Sequence, residues 1–142
     1  VATVKDLAKT LAPNLPANNF KVAAAENLPF EDNSFDLVIS SAVLHFAADE
    51  NHFDAMLRSM WRVLKPGGYL FARLASDIGI EPLGQSTGNG RYLLPDGSER
   101  FLVDQQMLLN YTHKLNGQLF EPIKTTNVQN LRCMTTWCVQ KM

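Results

Sequence analysis

The sequence predicts an α/β fold, in which strands and helices alternate and pack in layers. Three consecutive stretches of the chain carry this prediction. Residues 35–40 form an apolar run, apolar residues recur at helical spacing over residues 53–64, and residues 69–75 form a second apolar run. Two strands that are joined through a helix usually pair in parallel, because a crossover returns the chain to the same end of the sheet. We therefore expect a mostly parallel sheet.

The first part of the chain is predicted to form one helix and two strands. Residues 1–11 place apolar side chains at helical spacing, which indicates an amphipathic helix that ends before Pro13. Residues 20–25 are apolar enough for a short buried strand. Residues 35–40 contain Leu, Val and Ile in a row, which is the pattern of a strand buried on both faces.

The helix between the two apolar runs has the clearest pattern in the chain. Its apolar side chains follow the spacing of a helix that buries one face. Asp49 is placed to cap the N-terminus, and Glu50 suits the positive end of the helix dipole. The Pro-Gly-Gly run at residues 66–68 is expected to stop the helix, so that a strand follows over residues 69–75.

Residues 76–102 differ in composition from the rest of a single predicted domain that covers residues 1–142. They contain five of the eight glycines and are predicted to form a loop or hairpin insertion around the Pro-Asp-Gly-Ser turn at residues 95–98. Glycine lowers the cost of alternative backbone conformations. We therefore expect residues 84–102 to act as a mobile lid over the substrate side.

The C-terminal part is predicted to contain a helix and two strands. Asp104 is placed to cap the helix, which ends near Asn116. The strands cover residues 118–124 and 132–140. Their link is too short for a crossover helix, so they should pair antiparallel.

Composition excludes several classes of function. Thirteen basic and fourteen acidic residues give a net charge of −1, whereas non-specific binding to nucleic acid or to an anionic membrane requires a basic surplus. No apolar stretch approaches the ~20 residues of a transmembrane helix. Cys133 and Cys138 should face opposite sides of a strand and belong to no Cys/His cluster. We expect two reduced thiols, no zinc site and a cytoplasmic protein.

Three short motifs occur in a specific order. The first is Ala-Ala-Glu-Asn-Leu-Pro-Phe at residues 24–30, followed by Ser-Phe-Asp-Leu-Val-Ile-Ser at residues 34–40. The second is Ala-Val-Leu-His-Phe at residues 42–46, and the third is Arg-Val-Leu-Lys-Pro-Gly-Gly-Tyr-Leu at residues 62–70. Together they resemble the middle of a Rossmann-like S-adenosylmethionine-dependent methyltransferase of the small-molecule type. The resemblance implies a three-layer fold with an antiparallel C-terminal strand pair, S-adenosylmethionine as cofactor, and a small-molecule acceptor.

The resemblance also implies which residues border the adenine of the cofactor. Ala24 and Ala25 occupy the family's adenine-contacting positions. Ala24 lies where the family usually has an acidic side chain, and it cannot accept that hydrogen bond. Glu26 is adjacent and is the candidate replacement.

The methionine side of the cofactor and the acceptor are implied to lie beyond the next strand. Ser40, Ser41 and Ala42 occupy positions that line the methionine and the departing sulfur in the family. His45 would lie at the mouth of the acceptor site, and the alternative is a residue that only packs at a helix start.

The reaction implied by the resemblance is in-line transfer of a methyl group from a sulfonium to a nucleophile. Holding the two partners in line can supply up to ~7–11 kcal/mol, so no catalytic dyad is required. A hydroxyl or thiol acceptor needs a base, for which the candidates are His45, Tyr92 and His113. Residues 40–43 lack the Asn/Asp-Pro-Pro-aromatic signature of amino methylation on nucleic acid or glutamine, which favours a small-molecule acceptor.

Two cofactor motifs of the family have no counterpart in the chain. These are the glycine-rich turn after the family's first strand and the acidic residue that ends its second. We expect the chain to begin after both motifs and to form an incomplete cofactor site alone. In the family's strand order, 3-2-1-4-5-7-6, residues 20–25 are the third strand and residues 35–40 the fourth. Upstream residues or another chain would fill the gap between them, or the two strands would pair directly.

Two other classes of function stay open at this point. A non-catalytic, methyltransferase-like binding module is compatible with Ala24 and with the missing glycine turn. A nicotinamide oxidoreductase on a similar sheet also needs a glycine turn. The sequence contains no Tyr-x-x-x-Lys pair that would support it.

Overall fold

A computed structural model describes residues 1–80 and 85–142. The helices and strands in these residues are α1 Ala2–Leu11, β1 Phe35–Ser41, α2 Glu50–Val63, β2 Leu64–Ser76, β3 Gln85–Gly88, β4 Arg91–Leu93, β5 Glu99–Phe101, α3 Gln105–Lys114, β6 Gly117–Leu119, β7 Lys124–Val128 and β8 Arg132–Lys141. Short 3₁₀ turns cover Ala17–Asn19 and Leu44–Phe46.

Strand β2 lies inside a five-stranded sheet. It pairs in parallel with β1 and antiparallel with β8, and β8 in turn pairs antiparallel with β6 and β7. The order β1-β2-β8-β6 reproduces the order 4-5-7-6 that the resemblance implies. The α/β class and the antiparallel C-terminal pairing are confirmed. The sheet is mixed, because β1 and β2 are the one parallel pair among its described strands.

The main hydrophobic core lies between this sheet and the helices α2 and α3. Trp137 of β8 and Leu70 of β2 are fully buried with Phe53 of α2 and Leu108 of α3. Each such side chain contributes roughly 1.5–3 kcal/mol by leaving water. The indole N–H of Trp137 donates to the hydroxyl of Thr112 at 3.0 Å, so its polar edge is also satisfied.

The opposite face of the sheet is exposed along β1. Leu37 and Ile39 are 52% and 65% exposed, and Phe71 of β2 is 37% exposed. The strand over residues 35–40 is confirmed, but the prediction that it is buried on both faces is wrong. Helices α2 and α3 both contribute to the core on the other face, and in the described part of the chain no helix is packed over these side chains.

Residues 20–25 do not form the predicted strand. The segment is mostly exposed, and its backbone joins neither sheet. A strand is stable only where a neighbouring strand satisfies its backbone groups, and no described strand lies beside this one. Direct pairing of residues 20–25 with β1, one of the three ways to close the expected gap, is therefore wrong as well.

Helix α2 begins as predicted and ends earlier. The carboxylate of Asp49 accepts a hydrogen bond from the backbone N–H of His52 at 2.7 Å, which confirms the N-cap. The helix ends at Val63, and Leu64 already belongs to β2. The Pro-Gly-Gly run at residues 66–68 therefore lies within the strand and does not stop the helix.

The C-terminal helix matches its prediction, whereas the strand after it is divided. Asp104 caps α3 by accepting from the N–H of Met107 at 2.7 Å, and Asn116 ends the helix with a left-handed φ of 55°. The strand predicted over residues 118–124 is two short strands, β6 and β7. Pro122 lies between them and has no N–H to donate to a ladder.

The predicted hairpin is confirmed, and three apolar residues in or beside its strands are buried. Strands β4 and β5 pair antiparallel, and β3 extends them to a second, three-stranded sheet. Leu94, Phe101 and Leu102 are buried. The ring of Phe101 stacks on Phe53 of α2 with 5.1 Å between the ring centroids.

The hairpin is also tied to the turn that follows β1. The guanidinium of Arg91 donates a short hydrogen bond to the carbonyl oxygen of Ala47. Together with the buried side chains, this contact joins the hairpin to the turn, so the hairpin forms one wall beside it, and the mobility expected of residues 84–102 stays a prediction. Gly84, where the predicted lid begins, lies outside the described residues.

The described residues, 1–80 and 85–142, contain no helix that is long and apolar enough to cross a membrane. Within the same residues, no group of three or more His, Cys, Asp or Glu side chains is arranged to hold a metal ion. Cys133 and Cys138 are both buried, and no disulfide joins them.

Gly90 is predicted to tolerate substitution less well than Gly97 in the same hairpin. Both have a positive φ, +78° and +84°. A Cβ at Gly90 would lie 2.6 Å from the ring of Phe101, whereas a Cβ at Gly97 meets nothing within 4 Å. Gly97→Ala should lower the free energy of unfolding by about 1–2 kcal/mol through backbone strain, and Gly90→Ala by about 2–4 kcal/mol. Chemical denaturation measures both, and equal losses would contradict the proposed clash.

Candidate functional site

The turn after β1 has an unusual backbone conformation. Ala42 adopts a left-handed φ of 58°, which costs a residue with a side chain roughly 1–2 kcal/mol. Its N–H donates to the carbonyl oxygen of Arg73 at 2.9 Å, which ties the turn to β2. Conformations of this kind cluster at functional sites, where the surrounding structure holds them in place.

The hydroxyl of Ser40 stands at the C-terminal end of β1 without a partner. Ser40 is 2% exposed. Among the residues that the structure describes, its Oγ is the one buried side-chain oxygen or nitrogen that makes no hydrogen bond. A buried hydroxyl without a partner is unfavourable, and ligands of open α/β sheets bind at the carboxyl ends of the strands. Ser40 therefore carries an unsatisfied hydroxyl near the edge at which such sheets bind ligands.

The next part of the turn buries His45 against β2. Its Nδ1 accepts a hydrogen bond from the backbone N–H of Ala75 at 3.0 Å. This N–H lies beyond Ser41, the last residue of β1, which pairs with Arg73. The imidazole therefore satisfies a backbone group of β2 that no residue of β1 reaches.

The environment of His45 keeps its ring neutral. Burial, and next the charges of Arg100, Arg73 and Arg132, lower the pKa of His45 from 6.5 to about 4. Because Nδ1 accepts from Ala75, the proton of the neutral ring is on Nε2. The lone pair that a base would use is already occupied, so the geometry suits a hydrogen-bond donor better than a general base.

The loop over residues 24–32 is held on helix α2. The guanidinium of Arg62 donates to the carbonyl oxygens of Leu28 and Phe30 at 2.8 and 2.7 Å, and to the carboxylate of Asp32 at 2.8 Å. The N–H of Leu28 donates to the hydroxyl of Ser59 at 3.0 Å. The Leu-Pro-Phe motif is thus fixed by helix contacts and not by a strand.

Glu26 is directed towards the start of α2. Its carboxylate lies 3.4 Å from Nε2 of His52. A hydrogen bond from its own backbone, and next that from His52, lower the pKa of Glu26. Ala24 is exposed, and Ala25 packs against the main core. The sequence analysis did not assign His52 to a site beside Glu26, because its position indicated only that it belongs to helix α2.

A cavity of about 190 Å³ opens beside the turn after β1. Ala42 and His45 line it from the turn, while β2, the β4–β5 hairpin and β8 supply the remaining walls. The other two base candidates do not line it: Tyr92 packs on a separate small core, and His113 is exposed on α3.

Three arginines that the sequence analysis did not single out meet at this cavity. They are Arg73 of β2, Arg100 of β5 and Arg132 of β8. Each lies in a strand, and the residues next to it in the sequence predict no more than a solvent-exposed arginine. Only the pairing of β2 with β8, and the packing of the hairpin across them, brings the three charges together.

Comparison with known proteins agrees with this architecture. A family model described as "Methyltransferase domain" matches residues 2–72, which is half of the chain. The chain belongs to this family. The match covers α1, β1 and α2 and most of β2, and so includes Ser40, Ala42 and His45.

Curated relatives match over part of their length. The chain is 49% identical over 57 residues to phthiotriol/phenolphthiotriol dimycocerosates methyltransferase 1 of Mycobacterium ulcerans, which is 40% of this chain and 20% of that protein. It is 45% identical over 67 residues to the ubiquinone/menaquinone biosynthesis C-methyltransferase UbiE of Haemophilus ducreyi, which is 47% of this chain and 25% of that protein. The chain thus spans a quarter or less of these relatives in the matched regions.

The fold is shared with solved structures at lower identity. A SAM-dependent methyltransferase from Methanosarcina mazei superposes on 100% of this chain and 79% of its own, with a TM-score of 0.71 and 21% identity. This likeness confirms the Rossmann-like methyltransferase fold.

Ser40 and Ser76 are buried serines near the C-terminal ends of β1 and β2, and we expect opposite effects from their removal. Ser40→Ala deletes an unpartnered hydroxyl and should leave the free energy of unfolding unchanged or raise it by up to about 1 kcal/mol. Ser76→Ala removes the acceptor of Thr135 at 2.6 Å and should lower it by about 1–3 kcal/mol. Urea denaturation of the ligand-free protein compares them. A large loss for Ser40→Ala would show that its hydroxyl is already satisfied.

His45 is predicted to make folding stability depend on pH. Because its pKa is about 4 when folded and 6.5 when unfolded, the unfolded chain binds more protons between these values. Its contribution is complete above about pH 6.5 and is lost as the pH falls towards 4, by about 1–3 kcal/mol. His45→Gln should flatten this part of the curve. Denaturation of both proteins at a series of pH values tests this; an unaltered curve for His45→Gln would refute the assignment.

Proposed function

We propose that the protein catalyses S-adenosylmethionine-dependent methyl transfer to a small-molecule acceptor. One observation carries the proposal: a member of the methyltransferase domain family has a buried, unpartnered hydroxyl, that of Ser40, at the C-terminal end of β1. This is the edge at which folds of this kind bind their cofactors.

Two groups of the described residues support a cofactor site. On the methionine side, the hydroxyl of Ser40 can donate or accept, and the left-handed turn at Ala42 follows directly after β1. On the adenine side, Glu26, whose carboxylate lies near His52, is the candidate replacement for the acid missing at Ala24. The residues that we assign to the cofactor are Ala24, Ala25, Glu26, Ser40, Ser41 and Ala42.

In this mechanism the chain acts chiefly by positioning. S-adenosylmethionine supplies a methyl group on a sulfonium that is already activated for transfer. The turn at Ser40–Ala42 holds the donor side, and the hairpin forms one wall of the cavity beside it, where an acceptor would be oriented. His45 stays neutral and offers an N–H, so it orients an acceptor oxygen or nitrogen and does not remove its proton.

The names of the relatives support a small-molecule acceptor. One acts in ubiquinone/menaquinone biosynthesis and the other on phthiotriol and phenolphthiotriol dimycocerosates. The net charge of −1 gives no electrostatic reason to expect nucleic acid as the acceptor. Two reduced, buried cysteines are compatible with the cytoplasm, which we propose as the compartment.

A non-catalytic, methyltransferase-like binding module is the second candidate. Ala24 favours it, because an exposed alanine stands where the family's adenine-binding acid is expected. Calorimetry of S-adenosylhomocysteine on the full-length gene product tests cofactor binding. A methyl-transfer assay with quinol and phenol acceptors, each with and without a carboxylate or phosphate group, then separates an enzyme from a module. Cofactor binding without transfer to any acceptor would favour the module.

Ala24→Asp is predicted to tighten binding of S-adenosylhomocysteine. It adds one hydrogen-bond acceptor at the adenine position, which is worth about 0.5–1.5 kcal/mol, or up to roughly tenfold in affinity. Ala23→Asp is the matched control, since Ala23 is also exposed and adds the same charge one residue earlier. Titration calorimetry measures both. Equal tightening by the two variants would point to general charge, and no binding with either residue at position 24 would refute the proposed cofactor.

A further inference from the structure

Among the described residues, more positive than negative side chains line the cavity beside the turn after β1. Arg73, Arg100 and Arg132 line it together with one described acidic residue, Asp96. These three cations and one anion leave a surplus of two positive charges in the described lining. The whole chain has a net charge of −1, so this concentration is local.

Arg73 is the least engaged of the three cations. It lies half-buried on β2, two residues before Ala75, whose N–H donates to His45. In the described part of the chain, its guanidinium has neither a hydrogen-bond partner nor an ion-pair partner. A half-buried guanidinium offers up to five N–H donors, and no acceptor for them lies among residues 1–80 and 85–142.

The other two arginines are held in place by contacts that leave part of their charge available. Arg100 stacks over the ring of Phe46 at 4.6 Å from its centroid and donates to the carbonyl oxygen of Glu99. Arg132 lies 3.6 Å from the carboxylate of Asp96, which is longer than a direct hydrogen bond. The other oxygen of Asp96 is occupied by the N–H and hydroxyl of Ser98.

The remaining walls are neutral or apolar. His45 is neutral and carries its proton on Nε2, so it adds a donor without adding charge. Phe46, Leu94 and Met134 supply apolar surface. A ligand that matches these walls has an anionic group and a small apolar body. Arginine favours carboxylate and phosphate, because its planar fork donates two parallel hydrogen bonds.

We propose that this cavity binds the anionic group, carboxylate or phosphate, of the small-molecule acceptor. The inference rests on the proposed function, because Ala42 both lines the cavity and borders the proposed methionine side of the cofactor. An anionic group held by Arg73 places the rest of an acceptor next to the donor. The cofactor's own carboxylate is the other source of the same chemistry, and the experiment separates the two.

The test is an NMR titration of the full-length gene product with benzoate, inorganic phosphate and, as an uncharged control, benzamide. The signals of the arginine Nε–H groups report the site directly. We expect saturable shifts with benzoate or phosphate and at least about tenfold weaker binding of benzamide. Arg73→Gln should weaken anion binding about tenfold, whereas Arg58→Gln, on the outer face of α2, should not change it.

Asp96→Asn distinguishes loss of the site from loss of folding. It removes the negative charge of the cavity while keeping an acceptor oxygen for Ser98, and should tighten anion binding about threefold. A misfolded variant cannot produce a gain. Unchanged or weaker binding by Asp96→Asn, or equal affinity for benzoate and benzamide, would overturn the proposal.

Saturating S-adenosylhomocysteine separates the two sources of the anion. If the cavity serves the acceptor, benzoate or phosphate still binds in its presence, and Arg73→Gln leaves the affinity for S-adenosylhomocysteine unchanged. If S-adenosylhomocysteine displaces the anion, the arginines hold the cofactor's carboxylate and the proposal is wrong. Anion binding without any binding of S-adenosylhomocysteine would refute the proposed function while keeping the anion site.

Discussion

Strand β2 is hydrogen-bonded along both edges, and the candidate site is built on its last residues. One edge pairs with β1 and the other with β8, which places the buried side chains of β2 on α2 and α3. Beyond the end of β1, the turn supplies hydrogen-bond partners for this edge of β2. The N–H of Ala42 donates to the carbonyl oxygen of Arg73, and the imidazole of His45 accepts from the N–H of Ala75. Backbone groups left buried without partners are costly, so the turn and His45 are positioned by the needs of the sheet.

Features that depend on neighbouring residues were predictable from the sequence. The structure confirms three such local features. These are the N-caps at Asp49 and Asp104, the helix that follows Asp49, and the hairpin around residues 95–98. Residues 20–25 had the composition of a strand, but a strand requires a partner that composition does not supply. The burial of β1 depends on which helices cover each face, which its own residues do not encode.

The site was predictable to the extent that a family motif marks it. The motif located the end of β1 and His45, while the arginines come from three strands that only tertiary structure joins. Glycine content indicated backbone freedom in the hairpin, but it did not predict the burial of Phe101 and Leu94. For His45, the residue type indicated acid–base chemistry. The hydrogen bond from the N–H of Ala75 determines which ring nitrogen carries the proton, and this decides whether His45 acts as a donor or as a base.

The tether between Arg91 and Ala47 has a consequence for how ligands reach the cavity. Because the hairpin is joined to the turn by this contact and to α2 by the stacked rings of Phe101 and Phe53, this side of the cavity's rim is attached to the rest of the domain. We expect the attraction of the arginines for anions to speed association, so the association rate should fall as ionic strength rises. A rim attached on this side would also select ligands by size, since it would widen less than a rim formed by an unattached loop.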